Sequence, residues 1–217
     1  MLPDVRGYDA LVRDFRWNVP ARYNIAEACC DRWAAETPDA PALVQWTESG
    51  VQSVSFRELR ARADRLANAL QGLGVRPGDR VGILLPQCVE AAEAHLAVYK
   101  LGAVAIPLFT LFGPDALAYR LADSGATALI GTADGLATVN GVADQVPALR
   151  HRIAVHGNAP GAHGYEELLA RGRDRFETAD TAADDPAVVI YTSGTTGNPK
   201  GALHAHRVLL GHLPGVE

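Results

Sequence analysis

Eleven consecutive residues concentrate the chemistry of this chain. From Tyr191 to Gly201 they read Tyr-Thr-Ser-Gly-Thr-Thr-Gly-Asn-Pro-Lys-Gly. Four hydroxyls, on Thr192, Ser193, Thr195 and Thr196, fall within five positions. Glycines stand at 194, 197 and 201, and Lys200 supplies one cation. Each part suits a chain of phosphates. Glycine lets backbone N–H groups approach an anion without a Cβ in the way. Successive N–H groups form a nest for oxyanions, hydroxyls donate to non-bridging oxygens, and lysine offers a mobile point charge for a phosphate that moves or leaves. A flexible linker is also rich in Ser, Thr and Gly. It needs neither the apolar run Ala187–Tyr191 before it nor the Pro-Lys-Gly ending.

The charges around this segment agree. Glu177, Asp180, Asp184 and Asp185 precede it, and from Pro186 to Val216 there is no acid, only Lys200, Arg207 and three histidines. A Walker A loop needs Gly-Lys-Ser/Thr after a four-residue gap. Here Pro199 precedes Lys200 and Gly201 follows it, and G-x-G-x-x-G is absent from the segment. A phosphate-loop NTPase is therefore disfavoured.

Other chemical candidates are weaker. His204 and His206 form H-x-H, but no further ligands cluster with them, so no metal site is assigned. Cys88 follows Pro86 at a helix start, where the dipole would lower its pKa, although an inert, half-buried thiol is the simpler reading. Glu90 and Glu93 read as the wet side of a helix, and Trp17, Trp33 and Trp46 as packing residues.

The loop needs elements to hold it, and the apolar pattern supplies them. A helix is predicted from Ile25 to Glu36, a hairpin from Ala42–Trp46 and Val51–Ser55, and a capping box at Ser55–Glu58. The helix it opens carries Leu59, Ala63, Leu66, Leu70 and Leu73 on one face. Three units then repeat, each a helix, a glycine (Gly74, Gly102, Gly125) and a short apolar strand (79–85, 103–107, 126–130). A weaker unit follows through Leu136–Val146 and Arg152–Val155. Glycine at a helix end suits the left-handed C′ position, and continuous apolar strands are those buried on both faces of a parallel sheet. The expectation is an α/β fold, a layered sheet with mainly parallel central strands flanked by helices. It divides into an N-terminal arm (1–23), an α/β subdomain (24–170), a linker or surface loop (171–185), and a closing segment (186–217) with the strand, the loop and the start of the next region.

At 217 residues the chain can bury a useful core. Its net charge of −5 disfavours a general nucleic-acid binder. Three cysteines, two of them adjacent, give no disulfide framework. No apolar stretch is long enough to cross a bilayer and no signal peptide follows Met1, so a soluble, cytoplasmic protein is expected.

The segment 191–201 resembles, residue for residue, the phosphate-loop signature of the acyl-adenylate-forming superfamily. Asn24 to Arg32, Phe56-Arg-Glu-Leu59, Gly78-Asp-Arg-Val81, Leu85-Pro86 and Lys100-Leu-Gly-Ala-Val-Ala-Ile-Pro107 look like the N-terminal region of these enzymes in the same order. With the aromatic arm at Phe15-Arg-Trp17, the combination is most similar to the acetyl- and medium-chain acyl-CoA synthetases. In that family an acid attacks the α-phosphate of MgATP to give acyl-AMP and pyrophosphate, and the CoA thiol then displaces AMP.

Carried over, the resemblance implies that Thr192, Ser193, Gly194, Thr195, Thr196, Gly197, Asn198, Pro199 and Lys200 hold the ATP phosphates. Lys200 then stabilises the leaving pyrophosphate. It implies a loop joining two strands, with Gly201–His204 extended and a helix beginning near His206. It also implies a substrate-side role for His206, which otherwise reads as a histidine at a helix start. The family's later motifs, for adenine, ribose, Mg²⁺ and the reacting carboxylate, are not recognisable here. The chain is therefore expected to be an N-terminal fragment, inactive alone, with its Mg²⁺ ligands beyond residue 217. Its partners would be a small carboxylic acid, ATP, CoA and the remainder of the polypeptide, with homo-oligomerisation left open. The alternatives are a non-catalytic nucleotide-binding or assembly module, or an adenylating enzyme with another acceptor. Three glycines and few apolar anchors further predict mobility across 192–199.

Overall fold

The computed structural model describes residues 7–47, 50–192 and 197–215. Helix α1 (Tyr8–Asp14) buries no residue and lies in the arm, where the sequence shows no period. Helix α2 runs as expected to Glu36, but it is π-wound over Glu27–Asp31 before its α-helical turn Arg32–Glu36. Strands β1 (Pro41–Thr47) and β2 (Gly50–Ser55) form a separate antiparallel hairpin. The expected capping box opens α3 (Phe56–Gly72), with Ser55 accepting from the Glu58 N–H and Glu58 accepting from the Ser55 N–H. Then follow β3 (Arg80–Leu84), α4 (Val89–Lys100), β4 (Val104–Pro107), α5 (Pro114–Ser124), β5 (Ala128–Thr132) and α6 (Ala133–Asn140). The chain continues through β6 (His151–Val155), β7 (His163–Gly164), α7 (Tyr165–Arg171), β8 (Pro186–Thr192), β9 (Lys200–Ala205) and α8 (Val208–His212).

The seven-stranded sheet has the order β7-β6-β5-β3-β4-β8-β9. Every pairing is parallel except β8 with β9. The three glycine stops are left-handed, with φ of 93° at Gly74, 67° at Gly102 and 61° at Gly125. Strand alternation divides the core. Val81, Ile83, Ala105, Ala128 and Ile130 pack under α2, α3, α4 and α7, whereas Leu84, Val104, Ile106 and Leu129 pack under α5 and α6. The chain leaves β3 for one face and β4 for the other. Their carboxyl ends therefore diverge, and the crevice of a doubly wound sheet opens between them.

Two readings of side chains are corrected here. Glu93 is fully buried rather than wet, because α3 packs over α4 opposite the sheet and Tyr165, the first residue of α7, reaches its carboxylate. Its carboxylate accepts from Arg62 and from the Tyr165 hydroxyl, both at 2.5 Å, and burial raises its pKa. The packing role expected of the tryptophans fails at Trp46, which is 84% exposed because β1 turns one face to solvent, whereas Trp33 stacks on Phe56 and Trp17 stands edge-on to Phe15.

The segment 171–185 begins at the last residue of α7 and then has no regular element longer than an isolated bridge, yet it is fastened along its length. Asn68 donates to the carbonyls of Arg173 and Arg175, Asn24 to that of Ala179, and the Thr181 hydroxyl to that of Tyr23.

Candidate functional site

The glycine- and hydroxyl-rich segment joins β8 to β9 across the carboxyl edge of the sheet. Thr192 pairs with Lys200 and Tyr191 with Gly201, so the two ends of the loop are held side by side. Thr192, Gly197, Asn198 and Lys200 are exposed, and Gly197 is left-handed with φ 101°. Ser193, Gly194, Thr195 and Thr196 lie outside the described residues, and with them half of the stretch 192–199 expected to be mobile. Gly201 is required by packing: a Cβ there would stand 2.8 Å from Val189 Cγ1 and 3.2 Å from Tyr191 Cζ.

The root of the loop is tied to α5. The Tyr191 hydroxyl donates to Asp123 Oδ2 at 2.6 Å, and the Tyr119 hydroxyl donates to the Pro199 carbonyl at 3.1 Å. Burial and the Asp123 carboxylate push the Tyr191 pKa up, so the phenol stays protonated. The Arg120 guanidinium lies over the Phe112 ring at 4.0 Å, with the Tyr191 ring at 5.7 Å. None of these α5 residues stood out in the sequence. The only available signal was a tyrosine and an aspartate one helical turn apart, a common pairing on any helix.

Beside the loop, a cleft of about 550 Å³ opens at the ends of β3, β4 and β8. Leu85, Leu108, Phe109, Phe112, Ile190 and Tyr191 give it mostly apolar walls. Cys88 also lines it and stands at the cap of α4, but burial pushes its pKa up to about 11. The inert reading of this thiol therefore holds, and desolvation outweighs any helix-dipole effect.

His206 is not part of this constellation. The strand that carries Lys200 at one end reaches Ala205, paired to Pro186, at the other. His206 follows there and is fully buried, with Nδ1 accepting from the Ile25 N–H at 3.2 Å and the ring edge-on to Tyr99. The substrate-side role is corrected on this geometry: the residue closes the core between α2 and α4 at the edge remote from the loop. Burial lowers its pKa to about 4, as it does for His95.

The unfolded chain protonates such rings near pH 6.5. Between pH 6.5 and 4 it binds more protons than the fold, so stability rises with pH across that window. Acidification from pH 7 to 4.5 is therefore expected to lower stability by ~1–3 kcal/mol per ring. His206→Asn keeps an acceptor for Ile25 and is expected to make the acid limb shallower by about half, read from thermal midpoints at several pH values. An unchanged limb would place the titrating group elsewhere.

The other lysine of the chain, Lys100, is fully buried. Its ammonium meets Asp31 on α2 and lies 2.9 Å from Asp64 on α3, and the Thr178 hydroxyl donates to Asp31 at 2.7 Å. This cluster joins α2, α3, α4 and the 171–185 segment, and it is a structural charge centre rather than part of the loop.

Comparison with known proteins places the whole arrangement. The family model described as AMP-binding enzyme matches residues 30–215. The acetyl-coenzyme A synthetase of Nostoc linckia is 37% identical over 208 residues, covering 87% of this chain and 61% of that protein. That of Escherichia coli K12 is 31% identical over 209 residues, covering 87% of this chain and 32% of its own. Among solved structures, a Brucella canis acyl-CoA synthetase superposes with a TM-score of 0.82 at 28% identity, over 95% of this chain and 39% of that one. The anthranilate CoA ligase AuaEII, in complex with anthranoyl-AMP, gives 0.78 at 29% identity, over 87% and 36%. The chain thus spans less than two thirds of the length of each of these relatives.

Proposed function

The chain belongs to the AMP-binding enzyme family, and from that premise we propose that it is the N-terminal part of an AMP-forming acyl-CoA synthetase. The observation that carries this reading is the hairpin of β8 and β9, which holds the two ends of a glycine- and hydroxyl-rich loop together at the carboxyl edge of a parallel sheet, with Lys200 at its exit. In this reading Thr192, Ser193, Gly194, Thr195, Thr196, Gly197, Asn198, Pro199 and Lys200 cradle the β- and γ-phosphates of ATP. A carboxylate oxygen attacks the α-phosphorus, the α–β bridging bond breaks, and pyrophosphate leaves with its negative charge met by loop N–H groups, hydroxyls and the Lys200 ammonium. The CoA thiol then attacks the acyl carbon and AMP leaves.

The names of the relatives support a short aliphatic acid as substrate, and the anthranoyl-AMP complex of a structural neighbour makes an aromatic acid the next choice. Residues 24–170 are read as the α/β subdomain, with 171–185 as a surface connection and 186–217 opening the catalytic region. Cytoplasmic location and use of Mg²⁺ belong to the same reading; among the described residues no helix is long and apolar enough to cross a membrane.

The test is exchange of labelled pyrophosphate into ATP by the polypeptide extended to the length of its relatives. Acetate or another small carboxylic acid is expected to be required for exchange. Exchange that ignores acid, or none with any acid tried, overturns the enzyme reading in favour of a nucleotide-binding module. The 217-residue chain alone is expected to bind MgATP with a Kd of about 1 mM or weaker, because exposed phosphate contacts compete with water and fixing the loop costs ~1–2 kcal/mol per residue. Micromolar affinity in calorimetry would mean that the nucleotide site is complete within these residues.

A further inference from the structure

We propose that the second half of α5 is a clamp for the phosphate loop, with Tyr119 and Asp123 as its positioning residues. This rests on the reading of 192–200 as a phosphate site. Tyr119 and Asp123 stand four residues apart and so share one face of the helix. Each holds a different root of the loop. Asp123 accepts from the hydroxyl of Tyr191, the last residue but one of β8, and Tyr119 donates to the carbonyl of Pro199, the residue before β9. The two tyrosine rings meet edge to face, with centroids 6.5 Å apart.

The contact at Pro199 acts on Lys200 directly. The Pro199 carbonyl belongs to the peptide unit that carries the Lys200 N–H, so holding that oxygen sets the plane from which Lys200 departs. The far side of the same residue is fixed by its pairing with Thr192. Tyr191 completes the arrangement, because its ring packs against Gly201, with Cζ 3.2 Å from where a Cβ there would stand. Arg120, between the two positioning residues in sequence, packs its guanidinium on Phe112 and Tyr191 and so backs the aromatic wall. A loop whose two roots are held before the anion arrives loses less conformational freedom on binding it, and that difference appears as affinity. The clamp therefore acts on phosphate binding rather than on folding.

The probe is inorganic pyrophosphate, titrated into the isotopically labelled chain while the amide signals of Gly197, Asn198, Lys200 and Gly201 are followed. Tyr119→Phe removes only the hydroxyl, and Asp123→Ala removes the acceptor for Tyr191. Each is expected to weaken pyrophosphate binding about threefold to tenfold while leaving the thermal midpoint within about 2 °C. Asp123→Asn keeps an acceptor and is expected to bind like the unaltered chain. Unchanged affinity in both Tyr119→Phe and Asp123→Ala overturns the clamp. So does an equal loss in Asp123→Asn and Asp123→Ala, which would make the charge and not the hydrogen bond the active feature. If Asp123→Ala fails to fold, Tyr119→Phe alone decides. Absence of any pyrophosphate-dependent shift at these amides in the unaltered chain is a separate result. It removes the phosphate reading itself, and the clamp falls with it.

Discussion

Lys200→Ala is expected to slow acid-dependent ATP–pyrophosphate exchange by about 10²-fold in the polypeptide extended to the length of its relatives, a typical cost of removing one group that stabilises developing charge. In the proposed reaction, the ATP phosphates are shared beforehand among several N–H groups and hydroxyls of the loop. As the α–β bond breaks, negative charge accumulates on pyrophosphate, and the mobile ammonium at the exit of the loop strengthens its contact at that moment. An interaction that grows in the transition state lowers kcat when it is lost, so the acid KM is expected to change by less than about threefold. Lys200→Arg keeps the charge and should recover part of the rate. The exposure of Lys200 in the fold makes a structural confound small, since the side chain carries no packing. Exchange in Lys200→Ala within threefold of the unaltered protein would exclude this residue from leaving-group stabilisation.

The second large effect concerns the other lysine and has the opposite character. Lys100→Met is expected to lower the free energy of unfolding by about 3–5 kcal/mol, the usual cost of removing one member of a buried ion cluster. The methionine fills a similar volume, so the loss is electrostatic. Asp64 remains fully buried and Asp31 nearly so, with the cation that faced both of them gone. Arg60, 3.6 Å from Asp31 and 3.7 Å from Asp64, is partly solvated and compensates incompletely. The double change Lys100→Met with Asp64→Leu removes the stranded charge and is expected to recover at least half of the loss, since apolar replacement of a buried pair is often neutral. Denaturant titration of the three proteins checks both statements. A single variant within 1 kcal/mol of the unaltered chain, or a double variant less stable than the single one, would show that packing and not charge governs the cluster.

These two residues also mark the limit of what could be read in advance. Periodicity and glycine stops located the ends of α3, α4 and α5 and the strands β3, β4 and β5 to within two residues, because their burial follows from local sequence: an apolar stripe, a capping box, a glycine stop. The glycine- and hydroxyl-rich loop between β8 and β9, proposed to hold phosphate, was equally visible, because anion binding by backbone N–H groups needs glycine and hydroxyl residues in consecutive positions. Glu93 was misread for a definite reason. An amphipathic pattern assumes one wet face, but α3 covers that side of α4, so Glu93 had to find Arg62 and Tyr165 at sequence separations of 31 and 72.

What the amino-acid order determined by itself is therefore the succession of main elements from α3 to β6 and their parallel α/β arrangement, together with the glycine, hydroxyl and lysine content of residues 191–201 on which the proposed phosphate site rests. What only the tertiary structure decided is where each polar side chain outside that loop ends up. His206 went to the core, where desolvation favours the neutral ring, and not to a substrate wall. Lys100 found two carboxylates from helices more than thirty residues away. Tyr119 and Asp123 reached the roots of a loop about seventy to eighty residues further along the chain. A buried charge or hydrogen-bonding group must be satisfied by whatever the fold brings beside it. That partner is chosen by the packing of the layers, and no spacing in the sequence encodes it.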